Sequence, residues 1–211
     1  MKNTKVLELL NDGRIDELKQ QLSDEIYTES LITKPGAKKR YSAMKKYFGY
    51  YGSARETLQK PCEVEFEGER YISFCNSYSL ALTTETCGEI KMVEDPSRYP
   101  DVTRVIHFDG DGKDLDISRA IAEAKSKGYK LNKKEVGFGF RYLMLYDETY
   151  YKIGLLDSTF GIIDDGKIPV VYKSKESNRP IVIKNDIGLC VIMPVRLDGG
   201  TEVNHVVIEA R

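Results

Sequence analysis

Closely spaced cysteines and histidines are missing from this 211-residue sequence. No two of the four cysteines, at positions 62, 75, 87 and 190, form the C-x-x-C pair that zinc sites and redox motifs use. The two histidines, His107 and His205, have no cysteine or histidine nearby with which to share a metal ion. These absences favour buried thiols that act as small hydrophobic residues, and we expect neither a metal site nor a cofactor.

Long apolar runs are missing too. No uncharged apolar stretch approaches the roughly 18 residues that a membrane-spanning helix needs, and the polar N-terminal residues contain no apolar signal segment. We therefore expect a soluble, cytoplasmic protein that makes no membrane contact. Because domains usually contain about 100 to 200 residues, the length predicts one sizeable domain with an appendage.

Catalytic patterns are equally scarce. The sequence has no G-x-S-x-G motif and no compact carboxylate pair, and "GFGF" at 137–140 lacks the glycine spacing of a phosphate-binding loop. "DGDGKDLD" at 109–116 starts like an EF-hand loop, but Asp114 stands where that loop needs glycine and Ala120 where it needs glutamate. We expect a protein without enzymatic activity, because an enzyme would require a cleft of carboxylates with shifted pKa values.

Positive charge is concentrated in two islands. Residues 34–60 carry a net charge of +7 and residues 113–134 carry +4, so the rest of a chain with net charge −1 carries −12. Two basic segments in an acidic chain can focus positive potential on one surface, which favours contact with a nucleic-acid backbone. Solvated helix faces are the alternative interpretation of both islands.

The chain divides into three parts. Apolar residues at helical spacing between 4 and 31, interrupted by "NDG", predict two short helices. The Pro35-Gly36 pair that follows is typical of a linker. We therefore assign a helical N-terminal extension to 1–35, a main domain to 36–197 and a C-terminal extra strand to 198–211.

The main domain begins with a predicted helix over 37–47, whose apolar stripe lies beside a basic face. Alternating apolar and polar residues then predict three or four antiparallel strands between 62 and 95. The clearest helix spans 114–128, with acidic residues at its start and a glycine at its end. Strands alone are predicted from 135 to 197, so the order helix then strands occurs twice and defines an α+β fold with two halves.

Three phrases of the main domain, in one order along the chain, resemble segments of a single family. "FCNSYSLALTT" at 74–84 is similar to a Thr-Asp-Gly-x-Arg-Leu-Ala strand turn, chiefly at Leu80 and Ala81. "SRYPDVTRVIHF" at 97–108 resembles an aromatic-Pro-Asp-x-x-Arg-Val link, and "RPIVIKNDIGLCVIMPVRL" at 179–197 resembles terminal strands that close on Met-Pro-x-Arg-Leu. The family is the bacterial DNA polymerase sliding clamp, the β subunit.

The resemblance implies a clamp-like protein of DNA replication, a sliding clamp or processivity factor whose inner helices contact DNA phosphates without reading sequence. It also implies that polymerase-like or other proteins dock short peptides near the last phrase. The DNA-binding residues would be Lys38, Lys39, Arg40, Lys45, Lys46, Lys125, Lys127, Lys130, Lys133 and Lys134. The partner-binding residues would be Met193, Pro194, Val195, Arg196 and Leu197.

The chain also differs from a clamp subunit, in a way that fits a small phage or mobile-element relative. A clamp subunit contains several such domains, whereas this chain has the length of about one, so encircling double-stranded DNA would require a homo-oligomer or another ring subunit. The residues after the last phrase would cover either the partner groove or an open sheet edge. The alternative function is a protein-interaction module of this fold that neither forms a ring nor binds DNA.

Overall fold

The structure, a computed structural model, describes residues 3–50, 56–85, 88, 90–132, 142–176, 179–197 and 203–210. Within these ranges the helices are α1 (Asn3–Asn11), α2 (Ile15–Thr33), α3 (Ala37–Tyr50), α4 (Ile117–Ser126) and α5 (Ile153–Ile163). The strands are β1 (Cys62–Phe66), β2 (Glu69–Cys75), β3 (Ser79–Thr83), β4 (Lys113–Asp114), β5 (Tyr142–Tyr146), β6 (Thr149–Lys152), β7 (Val170–Lys173), β8 (Ile181–Asn185), β9 (Gly188–Ile192) and β10 (Asn204–Val207). Helices combined with a large antiparallel sheet confirm the expected α+β class.

Seven strands form one antiparallel sheet in the order β1-β2-β3-β9-β8-β7-β4. Its central pair is β3 and β9, in which Ser79 lies opposite Ile192 and Thr83 lies opposite Gly188. Every residue of both strands is buried. Burial on both faces explains why β9, "GLCVI", is a continuous apolar run without alternating polar residues.

Two halves, each a helix followed by three strands, meet at this central pair. The first is α3 with β1, β2 and β3, and the second is α5 with β7, β8 and β9. One further hydrogen bond extends the strand pair at each end. At one end the Met193 N–H donates to Tyr78 O, and at the other the Thr84 N–H donates to Ile187 O, each at 3.0 Å. The strands follow in the same order on both sides of the pair, β3-β2-β1 on one side and β9-β8-β7 on the other.

The helix of the second half is α5, a segment in which the sequence predicts only strands. Apart from β6, that prediction is wrong for "TYYKIGLLDSTFGII" at 149–163. The helix is buried nearly all round because it packs on β3 and β9 and also contacts α3 and α4. Six of its eleven residues are isoleucine, leucine or phenylalanine and only Asp157 is charged, so the segment also has the composition of buried strands.

Helix α4, in contrast, lies where the sequence predicts a helix. The Asp116 carboxylate caps its start by accepting a hydrogen bond from the Arg119 N–H at 2.9 Å. After its end the chain passes through Gly128 at φ +97°, a left-handed conformation that glycine adopts readily. Its apolar face, which includes Ile117 and Ile121, is buried in the core between the helices and the sheet.

The large sheet has a hydrophobic core on each face. Leu80 and Leu82 of β3 point to one face and Ala81 to the other, as the alternation along a strand requires. The helices α3, α4 and α5 cover the face of Ala81. The opposite face is covered by an irregular segment with two 3-10 turns, which buries Val102 and Ile106.

The N-terminal extension is a helical hairpin, as the sequence predicts. Helix α1 contacts α2, and α2 contacts α3 of the main domain. Leu9 and Leu18 are buried. Five large apolar side chains of the hairpin are 40 to 59% exposed and are called the hairpin stripe: Leu7, Leu10, Ile15, Leu22 and Ile26.

A second, smaller sheet has the order β10-β5-β6, with β10 parallel to β5. The strand β10 lies within the predicted C-terminal strand segment and covers an open edge of β5. The chain reaches this sheet directly after β9, because the Val195 N–H donates to Tyr150 O of β6 at 2.8 Å. The strand predicted around "GFGF" and the residues 198–202 lie outside the described residues.

Candidate peptide-binding groove and basic helices

An open groove with a volume of about 350 Å³ lies where β2 turns into β3. Three large apolar side chains remain exposed along it, since Tyr78 is 59%, Val105 44% and Met193 38% exposed. We call this feature the docking groove. Its lining residues are Leu58, Cys75, Asn76, Ser77, Tyr78, Ser79, Leu80, Pro100, Asp101, Val102, Val105, Val191 and Met193.

The first wall of the docking groove is the β2–β3 turn, which Asn76 holds in place. The Asn76 Oδ1 accepts hydrogen bonds from the N–H groups of Tyr78 at 2.7 Å and Ser79 at 2.9 Å. Its Nδ2 donates to the hydroxyl of the buried Tyr47 at 2.8 Å. Because this amide uses both its oxygen and its nitrogen, the turn is fixed and the Tyr78 ring projects outward.

The second wall is the 3-10 turn Val102–Val105, which Asp101 caps. Its carboxylate accepts hydrogen bonds from the Thr103 N–H at 3.2 Å and from Arg104 Nε at 2.9 Å. The Thr103 hydroxyl and the Arg104 guanidinium, in that order, lower the pKa of this carboxyl. The cap fixes a turn that buries Val102 in the sheet core and leaves Val105 at the groove.

The third wall is Met193, the first residue after β9. Pro194 follows and cannot continue the ladder because it has no backbone N–H. The chain then crosses to the small sheet at Val195. Of the five predicted partner-binding residues, Met193 lines the groove, whereas Pro194, Val195, Arg196 and Leu197 are not among its lining residues.

The floor of the docking groove carries no charge at neutral pH. Cys75 lines it, and burial raises the pKa of this thiol to about 12, so the thiol stays protonated. Leu58, Leu80 and Val191 supply apolar surface beside it. The floor is therefore suited to apolar side chains.

The three phrases that carry the clamp resemblance contribute twelve of the thirteen lining residues. They are separated along the chain, at 74–84, 97–108 and 179–197, and the fold brings them to one place. Neither Tyr78 nor Val105 is among the residues that the sequence predicts to bind a partner. Their position inside these phrases is the signal that identifies them.

The predicted DNA-binding residues divide according to their surroundings. Lys39 and Lys125 are exposed but each lies against a carboxylate, with Lys39 Nζ 2.8 Å from Asp164 Oδ2 and Lys125 Nζ 3.0 Å from Asp157 Oδ2. Lys133 and Lys134 lie outside the described residues. Five other lysines are exposed and, among the described hydrogen bonds and ion pairs, have no carboxylate partner on another helix or strand: Lys38, Lys45, Lys46, Lys127 and Lys130.

Arg40 is incompatible with its predicted role in DNA contact, because its side chain is only 2% exposed. Its guanidinium forms a bidentate ion pair with Glu85, with Nε 2.7 Å from Oε2 and Nη2 2.6 Å from Oε1. Its Nη1 also donates to Pro35 O at 2.9 Å and to Asp164 O at 3.1 Å. Arg40 therefore joins the linker, the end of β3 and the end of α5.

The two basic helices belong to one layer, since α3 and α4 both contact α5. Asp157 of α5 pairs with Lys125 of α4. The pKa of Tyr50, the last residue of α3, is raised first by burial and second by the negative charge of Asp157. Asp157 therefore lies near both basic helices. A carboxylate thus interrupts the positive charge of this layer.

Comparison with known proteins identifies no relative, because no protein family and no curated protein matches the chain. Over the described ranges, no group of three histidine, cysteine, aspartate or glutamate side chains is placed to hold a metal ion. The helices in the same ranges include none that is long and apolar enough to cross a membrane. The resemblance to sliding clamps therefore depends on the three phrases.

Proposed function

We propose that this chain is a non-enzymatic protein of the DNA-clamp type, whose docking groove binds a short apolar segment of a partner protein. The observation that carries the proposal is the convergence of the three clamp-like phrases on one groove. Sliding clamps dock peptides near their terminal phrase, and Met193 of that phrase lines this groove. The groove thus combines a sequence resemblance with an accessible apolar surface.

The chemistry of the docking groove indicates what it binds. Ligand pockets usually measure about 300–1,000 Å³, and this groove, at about 350 Å³, is at the small end of that range, which suits a short segment. Asp101 already accepts hydrogen bonds from its own turn, and the Cys75 thiol is neutral, which favours apolar side chains over charged ones. A turn fixed by Asn76 is ordered before binding, which lowers the entropic cost of association.

A peptide-display selection on the full chain tests this proposal. We expect the selected peptides to share apolar residues at a constant spacing, and we expect Met193→Glu to weaken their binding at least about tenfold in fluorescence polarisation. Val207→Ser is the matched control, because Val207 is 58% exposed but lies outside the groove. Selected peptides that bind Met193→Glu and the parent chain equally would contradict the proposal.

Contact with a DNA backbone is a second candidate function, favoured by the five exposed lysines on or beside α3 and α4. These helices belong to one layer, so their lysines can act together, although Lys127 also pairs with Glu123 at 2.8 Å. Such contacts would be independent of base sequence and sensitive to salt. This candidate is compatible with peptide binding, because the groove and the lysines use different residues.

Fluorescence anisotropy with duplex DNA at low and high salt tests the second candidate. We expect binding at low salt that weakens steeply as salt rises, and a loss of affinity in Lys45→Ala combined with Lys46→Ala. Lys167→Ala is the control, since Lys167 is an exposed lysine outside α3 and α4 that pairs with Asp186. Absence of binding at low salt, or binding that salt does not change, would exclude this function.

A further inference from the structure

Strand β1 is one edge of the large sheet, and among the described strands it has a neighbour on one side only, β2. The two strands are joined by the tight turn 67–68, whose residues both have positive φ. In a hairpin of this kind the residues that flank the turn, here Phe66 and Glu69, exchange both hydrogen bonds across the pair. Hydrogen-bonded and non-hydrogen-bonded pairs alternate along the strands, so the backbone N–H and C=O groups of Glu63 and Glu65 point away from β2. We call this side of β1 the open edge.

The chain itself uses the open edge just before β1 begins. The Val93 N–H donates to Pro61 O at 2.9 Å, and this carbonyl is in phase with those of Glu63 and Glu65. The chain then leaves the edge for the 3-10 turn Pro96–Arg98. Over the described residues, no backbone group outside β1 and β2 forms a hydrogen bond with the backbone of β1. The open edge can therefore accept an added strand.

A cavity of about 220 Å³, which we call the edge cavity, lies beside the open edge. One wall is β1 from Cys62 to Glu65, and the other is formed by Pro96, Tyr99, Pro100, Asp101, Val102 and Thr103. The Tyr99 ring is held in place because its hydroxyl hydrogen-bonds to Ser73 Oγ at 3.1 Å. Side chains alternate between the two faces of a strand, so every second side chain of an added strand would point into the edge cavity. The three exposed apolar residues of the docking groove do not line this cavity, so the two sites are distinct.

The charge around the edge cavity has one sign, because its charged lining residues are Glu63, Glu65 and Asp101. Asp101 is already paired with Arg104 at 2.9 Å. Glu63 and Glu65 have exposed side chains, and among the described ion pairs neither has a partner, although Arg70 of β2 stands opposite Glu65. Opposite charges on neighbouring strands attract, whereas like charges directly opposite each other destabilise a sheet. The open edge therefore favours basic side chains on an added strand and disfavours a second copy of β1.

We propose that the open edge of β1 binds an extended basic peptide of a partner protein, which joins the large sheet as an antiparallel strand. Every pair of neighbouring strands in this sheet is antiparallel, so the peptide continues the existing pattern. Lysine or arginine residues of the peptide lie opposite Glu63 and Glu65, and the alternate residues place apolar side chains in the edge cavity. Backbone hydrogen bonds then supply affinity, and the alternation supplies specificity.

Fluorescence anisotropy of a labelled Lys-Val-Lys-Val-Lys-Val peptide with the full chain tests this site. We expect this peptide to bind at least about tenfold more tightly than Glu-Val-Glu-Val-Glu-Val, which has the wrong charge, and Lys-Lys-Lys-Val-Val-Val, which has the wrong order. In the proposed strand the N–H groups of the lysines point to β1 and those of the valines point to solvent. N-methylation of the central lysine should therefore weaken binding at least about fivefold, and N-methylation of the central valine by less than about twofold.

Charge reversal on β1 tests the same site from the side of the protein. Glu63→Lys combined with Glu65→Lys should weaken binding of the Lys-Val peptide at least about tenfold and should strengthen binding of the Glu-Val peptide. The matched control is Asp109→Lys combined with Asp111→Lys, which makes the same charge change at exposed residues outside the edge cavity. If the β1 variant alters folding, judged by circular dichroism and urea unfolding, the two N-methylated peptides provide the test on the parent chain.

Three results would overturn the inference: no saturable binding of the Lys-Val peptide, equal affinities of the two N-methylated peptides, or an unchanged preference in a folded β1 variant. Sedimentation velocity examines the other occupant of a sheet edge. Self-association of the parent chain that the Lys-Val peptide disrupts would place a second copy at the open edge and would also overturn the inference. None of these results bears on the docking groove, which Met193→Glu tests separately.

Discussion

Replacement of Arg40 by methionine should destabilise the fold strongly while leaving the exposed lysines in place. The guanidinium is 2% exposed and its partner Glu85 is 9% exposed. Arg40→Met leaves the Glu85 carboxylate buried without its positive charge. Removal of one partner from a buried ion pair typically costs about 3–5 kcal/mol. Arg40→Met also removes the hydrogen bonds to the carbonyl oxygens of Pro35 and Asp164, which are partly buried and buried. We therefore expect a loss of unfolding free energy in the upper part of this range.

Urea unfolding at neutral pH measures this effect. The single variant should lose about 3–5 kcal/mol in the free energy of unfolding, and the double variant Arg40→Met, Glu85→Leu should recover most of it because it leaves no buried unpaired charge. Lys45→Ala is the matched control, since it removes an exposed positive charge from the same helix and should change stability by less than about 0.5 kcal/mol. A loss below about 1 kcal/mol in Arg40→Met would refute the structural role assigned to this residue.

Three further predictions concern the groove and the central strands. Burial raises the pKa of the Cys75 thiol to about 12, so this thiol should react slowly with iodoacetamide at pH 8 and faster as the pH rises or in urea. Mass spectrometry measures the labelling, and rapid labelling of the native protein at Cys75 would contradict the burial of this residue. Asn76→Ala should cost about 2–3 kcal/mol in urea unfolding and should weaken peptide binding, because it removes the bonds that fix the β2–β3 turn; unchanged binding would show that the turn does not depend on them. Gly188→Ala should cost about 2–4 kcal/mol, since its Cβ would lie 2.1 Å from Leu82 O across the central pair. Gly49→Ala is its control, because that Cβ meets no atom within 4 Å, and equal stability losses in the two variants would argue against the close approach.

Local signals in the sequence predict the parts of the fold that local interactions determine. Helix α4 is predictable because Asp116 caps its start and Gly128 follows its end, and both act within a few residues. Helix α5 is not predictable in the same way, because it is buried against β3, β9, α3 and α4 and its sequence is mostly apolar. The distinction between a buried strand and a buried helix then depends on distant parts of the chain.

The candidate sites show the same division. Arg40 stands in a run of basic residues and is indistinguishable there from its exposed neighbours Lys38 and Lys39. Its burial is decided by Glu85, which lies 45 residues further along the chain. The phrase around Met193 predicts a partner surface there, whereas the position of Tyr78 beside Met193 depends on the turn and the end of β9 meeting in the fold.

Chemical-shift mapping of a bound, display-selected peptide on the isotope-labelled full chain tests the central claim most directly. The account predicts the largest amide shifts at Tyr78, Val105 and Met193, which line three walls of the docking groove. It also predicts that the exposed lysines of α3 and α4 show small changes, because they do not line the groove. Shifts concentrated on α3 and α4, with none at the three groove residues, would contradict the claim that this groove binds peptides.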